Sequence, residues 1–133
     1  MEAATIDALR AVPLFAGLDD GALGDLAVRT TTFEAPAGSV LVEVGQPGSG
    51  LFVIEEGEVE VDLPGRVVTL GPGAFFGEVS LLTDGPRTGR VRATTDVRCL
   101  ALARNDFARL LADEPVIAVQ MLPVLAARLA DAP

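Results

Sequence analysis

Residues 51–70 read LFVIEEGEVEVDLPGRVVTL and contain three short apolar runs separated by turns that hold glycine. The runs are Leu51–Ile54, Val59–Leu63 and Val67–Leu70. In the middle run apolar and acidic residues alternate, which predicts a strand with one face in the core and the other in solvent. Short runs of this kind between glycine turns are typical of consecutive β-strands.

The same pattern continues on both sides of this stretch. Further apolar runs are Val40–Val44, Val91–Ala93 and Val97–Leu102, again separated by turns rich in glycine and proline. Many short strands with regular glycine turns are typical of a barrel or a sandwich. We therefore expect a mainly β domain whose barrel covers about residues 31–103.

The segment before the barrel, about residues 5–30, is predicted to be helical. Apolar residues recur there at helical spacing until a proline interrupts them: Ile6, Leu9, Val12, then Pro13. Asp19 or Asp20 can cap a second short helix, because a carboxylate accepts hydrogen bonds from the free amides of a first helical turn.

The segment after the barrel, about residues 105–131, is predicted to be helical as well. Asn105 is a favourable N-cap for a first helix, and Pro115 suits the first turn of a second. Pro123 lies inside that second helix, where it removes a backbone hydrogen bond, so we expect a kink there. The whole chain, residues 1–133, is predicted to form one domain with helices on both flanks of the barrel.

The composition excludes several kinds of chemistry. The chain has no histidine, which removes imidazole metal sites and nucleophile–histidine pairs, so we nominate no catalytic and no metal-binding residue. Its single cysteine, Cys99, lies in a predicted strand and is expected to be a buried, inert thiol.

The net charge of −9 argues against nucleic-acid binding, since a protein that grips phosphate backbones normally shows a basic face. No apolar run reaches the length of a membrane span, and the first residues lack the features of a signal peptide. These observations predict a cytoplasmic protein that does not bind a membrane by itself.

The stretch GAFFGEVSLL, residues 73–82, interrupts the strand pattern and carries the candidate chemistry. Gly77 allows close approach to a ligand, and Val79, Leu81 and Leu82 can form a short helix whose free amides bind an anion. Arg87, which follows a proline, can pair with the same anion through its planar fork. Glu78 suits hydroxyl donors such as a ribose 2′-OH. The free amides, Arg87 and Glu78 together fit a nucleotide whose ribose and phosphate lie close together.

Two motifs carry a family resemblance, Phe76-Gly77-Glu78-Val79-Ser80-Leu81-Leu82 and Pro86-Arg87-Thr88. Together with the opening Val12-Pro13-Leu14-Phe15-Ala16-Gly17-Leu18, they resemble the cyclic-nucleotide-binding domains of the catabolite activator protein, the regulatory subunits of cAMP-dependent kinase and cyclic-nucleotide-gated channels. The resemblance covers roughly residues 9–130. It implies a jelly-roll-like barrel, a double-stranded β-helix, with N-terminal helices, a short phosphate-binding helix and C-terminal helices.

The resemblance also implies a role for each matching position. Arg87, Thr88, Ser80 and Val79 would hold the cyclic phosphate. Glu78 and Gly77 would hold the ribose, and a last group would flank the base: Val61, Val67 and Val68. The ligand would be cAMP or cGMP, with cAMP favoured and no other cofactor, although Thr88 also accompanies cGMP binding in this family.

Two departures from the family pattern concern the rim of the site. Gly89 stands where alanine is usual, and the last helix offers no aromatic or hydroxyl residue after Leu129 to cover the base. The resemblance implies a non-enzymatic regulatory sensor whose C-terminal helices rearrange on binding and could contact an output domain or protein partner.

Two other functions stay open on the sequence. A degenerate barrel could serve for protein interaction or dimerisation through the apolar last helix, which carries Ile117, Met121, Leu122 and Leu125. A cupin-like barrel enzyme is disfavoured by the absence of histidine. The sequence is equally compatible with a free-standing sensor and with one part of a longer protein that carries an output domain.

Overall fold

The computed structural model describes residues 2–3, 5–42, 50–63, 65–77 and 90–130, and it contains two antiparallel sheets with helices on one side. The described residues form nine strands: β1 (Glu2–Ala3), β2 (Thr30–Ala35), β3 (Val40–Val42), β4 (Gly50–Glu56), β5 (Val59–Leu63), β6 (Arg66–Leu70), β7 (Phe75–Phe76), β8 (Arg90–Ala93) and β9 (Val97–Ala103). One sheet has the order β1-β2-β9-β4-β7 and the other β3-β8-β5-β6.

The helices precede and follow the strands. They are α1 (Ile6–Arg10), a 3-10 helix (Pro13–Phe15), α2 (Asp20–Arg29), α3 (Arg104–Asp113) and α4 (Val116–Ala130). The side chain of Asp19 accepts a hydrogen bond from the Ala22 amide at 2.8 Å, which confirms the predicted cap of α2. Among the described residues, no single helix is long and apolar enough to cross a membrane. Helices α3 and α4 together reach the necessary length and apolar composition, but they are bent by 112° at the break between them.

The larger sheet is buried on both faces, because its strands alternate between two apolar clusters. Leu100 and Leu102 of β9 pack against the helices together with Phe15, Phe107 and other apolar residues. Val97 and Cys99 point the other way and pack against the smaller sheet. The fold therefore has three layers, with the larger sheet in the middle, and most of its stability comes from these two apolar interfaces.

Three turns meet at one end of the barrel, which we call the turn end; it comprises the turns at Gly38, Gly57 and Thr95. The Ala37 amide donates to Asp96 Oδ1 at 2.9 Å, and the Glu58 amide donates to Thr95 Oγ1 at 3.0 Å. These bonds tie the connections of both sheets together and satisfy backbone donors that no strand partner reaches.

Most predicted strands are confirmed, and Val59–Leu63 has the predicted bounds. The predicted strand Val40–Val44 ends at Val42 in the described part of the chain, since residues 43–49 lie outside it. The sequence analysis missed β2, whose residues TTTFEA show no clear alternation, and the two-residue β1 and β7.

One helix start was predicted wrongly. Asn105 is not the N-cap of α3, because that helix begins at Arg104 and its N-cap is Ala103, without a side-chain hydrogen bond. Strand β9 runs directly into the helix, so no room is left for a capping turn. Pro115 immediately precedes α4, and Pro123 lies inside it; the kink at Pro123 stays a prediction.

Candidate functional site

The chain leaves the barrel just before the candidate motif and re-enters it after the motif, both times at the end opposite the turn end. Strand β7 runs antiparallel to β4, with Phe76 opposite Phe52, so Gly77 lies near the start of β4. The chain returns at Arg90, which pairs with Asp62 in the smaller sheet. The turn at Gly65 between β5 and β6 lies at this same end. We call it the motif end, defined by Gly77, Arg90 and Gly65.

Apolar side chains line the barrel interior from one end to the other. Near the turn end, inward-facing Ile54, Val59 and Cys99 are fully buried. Closer to the motif end, Val61 and Phe52 are partly buried, and their pair partners Val91 and Phe76 are buried. Apolar side chains from both sheets therefore face the interior on the side from which the motif departs.

The strand register separates the three valines that were expected to flank a base. Val61 pairs with Val68 and with buried Val91, so Val61 and Val68 share the inward face of the smaller sheet. Val67 pairs with Asp62 on the opposite face and is 56% exposed. The expectation that all three face one pocket does not hold for Val67, because neighbouring residues of a strand point to opposite sides.

Comparison with known proteins decides the family. The model of the cyclic nucleotide-binding domain family matches residues 32–114, which span the barrel and α3. The chain belongs to the cyclic nucleotide-binding domain family.

Individual relatives agree with this assignment. The domain is 42% identical over 108 residues to a cyclic nucleotide-gated potassium channel of Mesorhizobium japonicum, covering 81% of the chain and 30% of the channel. It is 40% identical over 106 residues to a cAMP-dependent protein kinase regulatory subunit of Aspergillus fumigatus, covering 77% of the chain and 26% of the subunit.

A solved structure supports the fold. The catabolite activator protein of Thermus thermophilus superposes with a TM-score of 0.75 at 32% identity, over 90% of this chain and 59% of that one. The predicted jelly-roll barrel with flanking helices is thereby confirmed. The chain spans less than two thirds of each of these three proteins.

The family assignment also bears on catalysis. In channels, kinase regulatory subunits and transcription regulators, domains of this family are regulatory modules without catalytic activity. The prediction that this domain is not an enzyme is confirmed by that membership. Within the described part of the chain, no group of three or more acidic or cysteine side chains could hold a metal ion.

The phosphate and ribose residues of the cyclic nucleotide-binding motif fall largely outside the described residues. This applies to the short helix predicted at residues 79–82 and to five of the nominated side chains: Glu78, Val79, Ser80, Arg87 and Thr88. Gly77 is described, is partly buried and has a φ of 91°. That left-handed conformation favours glycine and turns the chain out of β7 at the start of the motif.

An aromatic ladder leads to the motif and was not predicted from the sequence. Phe52 stacks on Phe76 with ring centroids 5.2 Å apart, and Phe33 meets Phe52 edge-on at 5.8 Å. Fully buried Phe76 directly precedes Gly77, so the ladder fixes where the motif leaves the cyclic nucleotide-binding barrel. The alternation of Phe52 and Ile54 in the sequence is the signal that could have placed both on one face.

Acidic residues crowd the turn end of the domain. Arg98 lies 3.1 Å from Glu34 and 3.5 Å from Glu56, so one guanidinium bridges three neighbouring strands. The pKa of Glu55 is raised above its usual value, mainly because its side chain is partly buried. The charge of Arg98 opposes this increase, and the nearby charge of Glu56 adds to it. The turn end therefore repels an anion, in contrast to what a phosphate site needs.

Proposed function

We propose that this domain binds a cyclic nucleotide, with cAMP preferred over cGMP, as a ligand-sensing module without catalysis. The observation that carries the proposal is the match to the cyclic nucleotide-binding family over residues 32–114, which include the phosphate and ribose motif. The chain leaves the barrel before that motif at Gly77 and returns after it at Arg90, at the same end of the barrel. A ligand at that end would have the motif on one side and the partly buried Val61 and Val68 on another.

Each group of the nucleotide has a proposed partner. Arg87 pairs with the cyclic phosphate, assisted by the amides of Val79 and Ser80 and by Thr88. Glu78 accepts a hydrogen bond from the ribose 2′-OH beside Gly77. These assignments rest on the match between this chain and the family motif.

The base lies against apolar strand residues in this proposal. Val61 and Val68 offer methyl groups to the base and no hydrogen bond, so they hold adenine and guanine about equally well. The proposed preference for cAMP is based on similar proteins instead. Among them are a kinase regulatory subunit and a transcriptional regulator whose names specify cAMP. Thr88 could add affinity for guanine, and selectivity is therefore expected to be modest.

Binding is proposed to rearrange the C-terminal helices. A ligand shifts such an equilibrium only by binding one arrangement better than the other. Helix α4 contains Pro123, whose missing amide weakens the helix locally and favours bending there. If Pro123→Ala leaves both ligand affinity and the ligand-induced change in α4 unaltered, this part of the proposal is withdrawn.

A second candidate function is protein interaction or dimerisation through α4. Ile117 and Met121 are buried in the helix-side core, so they are not available to a partner. Val119 and Leu122 are each 61% exposed on the other side of the helix and form an apolar face. An output domain or a separate protein in the cytoplasm could cover this face.

Calorimetric titration with cAMP and cGMP in parallel separates the two functions. The ligand-sensing proposal predicts saturable 1:1 heat with both nucleotides and tighter binding of cAMP. No heat with either nucleotide at high micromolar concentration would overturn it. Sedimentation of the wild type beside Leu122→Glu tests the second candidate, which requires an oligomer that this substitution disrupts.

A further inference from the structure

Strand β6 is a long open edge of the smaller sheet. Among the described strands it is hydrogen-bonded to β5 alone, since the sheet has the order β3-β8-β5-β6. The other edge strands in this part of the chain are shorter: β1 and β7 have two residues each and β3 has three, whereas β6 has five. A long edge strand offers backbone donors and acceptors to another strand, and natural proteins usually shorten such edges or place charges on them.

The register with β5 shows which backbone groups of β6 face outward. Strands β5 and β6 are separated by two residues, and a turn of that length is closed by a hydrogen-bonded pair. Hydrogen-bonded pairs alternate with non-hydrogen-bonded pairs along antiparallel strands, so Val68 exchanges backbone hydrogen bonds with Val61. The N–H and C=O groups of Val67 and Thr69 therefore point away from β5, toward the open edge.

The side chains of β6 leave this edge accessible. Val67 is 56% exposed and Thr69 is exposed as well, whereas Val68 between them is partly buried on the inward face. Both exposed residues are β-branched, which favours an extended strand. The strand reads RVVTL and contains no acidic residue, although the chain carries a net charge of −9.

We propose that β6 pairs antiparallel with β6 of a second copy of this domain, about a two-fold axis at Val68. In this register Val67 of one copy lies opposite Thr69 of the other copy, and the same pair occurs a second time across the axis. These two pairs use the backbone groups that face the open edge. The two four-stranded sheets then join into one continuous sheet.

A second copy fits this edge for two reasons. The register is self-complementary, because each outward-facing residue meets an uncharged β-branched residue of the other copy. Two acidic chains also repel each other on average, so a contact between them costs least along a strand that carries no acidic side chain. The contact is short, and the association is therefore weak. It leaves α4 uncovered and is distinct from the second candidate function.

Amide hydrogen exchange measured by NMR at about 20 µM and about 1 mM protein tests the pairing directly, since a weak dimer forms only at the higher concentration. The amides of Val67 and Thr69 are expected to exchange at least about threefold more slowly at 1 mM. The amide of Val68, already bonded to Val61, serves as the internal control and keeps its rate. Concentration-independent exchange at Val67 and Thr69 overturns the inference.

Two double variants test the register by sedimentation at the same concentrations. Val67→Lys with Thr69→Lys places like charges opposite each other in both pairs and should abolish the dimer. This variant makes the chain less acidic, so its loss of dimer cannot come from general repulsion. Val67→Lys with Thr69→Glu places opposite charges in both pairs and should keep the dimer. Thermal melting checks that both variants fold.

Leu122→Glu, on the exposed face of α4, is the control for a dimer formed elsewhere and should dimerise like the wild type. A dimer that is lost in Leu122→Glu and kept in the variant with two lysines overturns the inference, as does equal loss in both double variants. If the edge instead receives a strand of a different protein, the isolated domain stays monomeric at about 1 mM, which also overturns it. None of these outcomes depends on nucleotide binding, so the proposed function is tested separately.

Discussion

Arg29 Nη1 lies 3.1 Å from Asp106 Oδ1, and this ion pair joins the last turn of α2 to the first turn of α3. Both side chains are about 30% exposed, and the hydrogen bond to Asp106 is the main cause that raises the pKa of Arg29. The buried Nε of Arg29 has no hydrogen-bond partner, although Asp25 Oδ2 lies 3.6 Å away. The helices before and after the barrel are thus held together by charge as well as by apolar packing.

This pair should contribute to stability cooperatively. Arg29→Ala and Asp106→Ala are each expected to lower the Tm by a few degrees, and the double variant should lose less than the sum, because both single changes break the same contact. A double-mutant cycle by thermal unfolding measures this. The more exposed pair of Arg98 and Glu34 serves as the comparison and should show weaker coupling. Fully additive losses at Arg29 and Asp106 would contradict the assigned contact.

Gly57 is expected to tolerate no side chain, in contrast to Gly38. Both glycines have a φ of 92°, so alanine pays a similar backbone cost of about 1 kcal/mol at either position. A Cβ at Gly57 would overlap the carbonyl oxygen of Asp96, whereas a Cβ at Gly38 would meet nothing within 4 Å. We expect Gly57→Ala to cost at least about 2 kcal/mol more than Gly38→Ala in denaturant unfolding. Equal losses would mean that the turn end is not packed as described.

Cys99 gives the domain a pH dependence that can be assigned to a single side chain. Burial raises the pKa of this thiol to about 11, with a further contribution from the charge of Glu55. The chain has no histidine, tyrosine or lysine, so hardly any other side chain titrates in the same range. In the unfolded chain the thiol ionises near pH 8.5, while in the folded state it keeps its proton.

Because the folded state then binds more protons than the unfolded state, stability falls as the pH rises above about 8.5. We expect a loss of about 1–2 kcal/mol by pH 10 in the free energy of unfolding, and a flat profile for Cys99→Ala. Denaturant unfolding at several pH values measures this. If Cys99→Ala keeps the wild-type slope, the thiol is not the group responsible.

The sequence predicts the smaller sheet better than the larger one, for a physical reason. Strand β5 alternates valine and leucine with acidic residues because only one of its faces is buried, and such alternation can be recognised directly. Strand β2 reads TTTFEA and owes its conformation to pairing with β9 along its whole length. A pattern within one segment cannot reveal a partner that lies about 70 residues away in the chain.

The candidate site, too, could be predicted from the sequence only in part. The motif around Gly77 could be located from its glycine and its family resemblance, because it is a local feature. The exposed orientation of Val67 and the stacking of Phe52 on Phe76 depend on strand register, which the residues alone did not determine. The error at Asn105 has a similar origin: residues suited to a helix cap are common, but only the end of β9 fixes where α3 begins.

The most direct measurement of the central claim is calorimetric titration of cAMP into the wild type, Arg87→Ala and Arg98→Ala. If Arg87 pairs with the cyclic phosphate, the wild type and Arg98→Ala bind alike, while Arg87→Ala loses about 2–5 kcal/mol of binding free energy, as expected when one partner of a buried charge pair is removed. Arg98, at the turn end, provides the same substitution away from the motif. Equal affinity for cAMP in all three proteins would contradict the account.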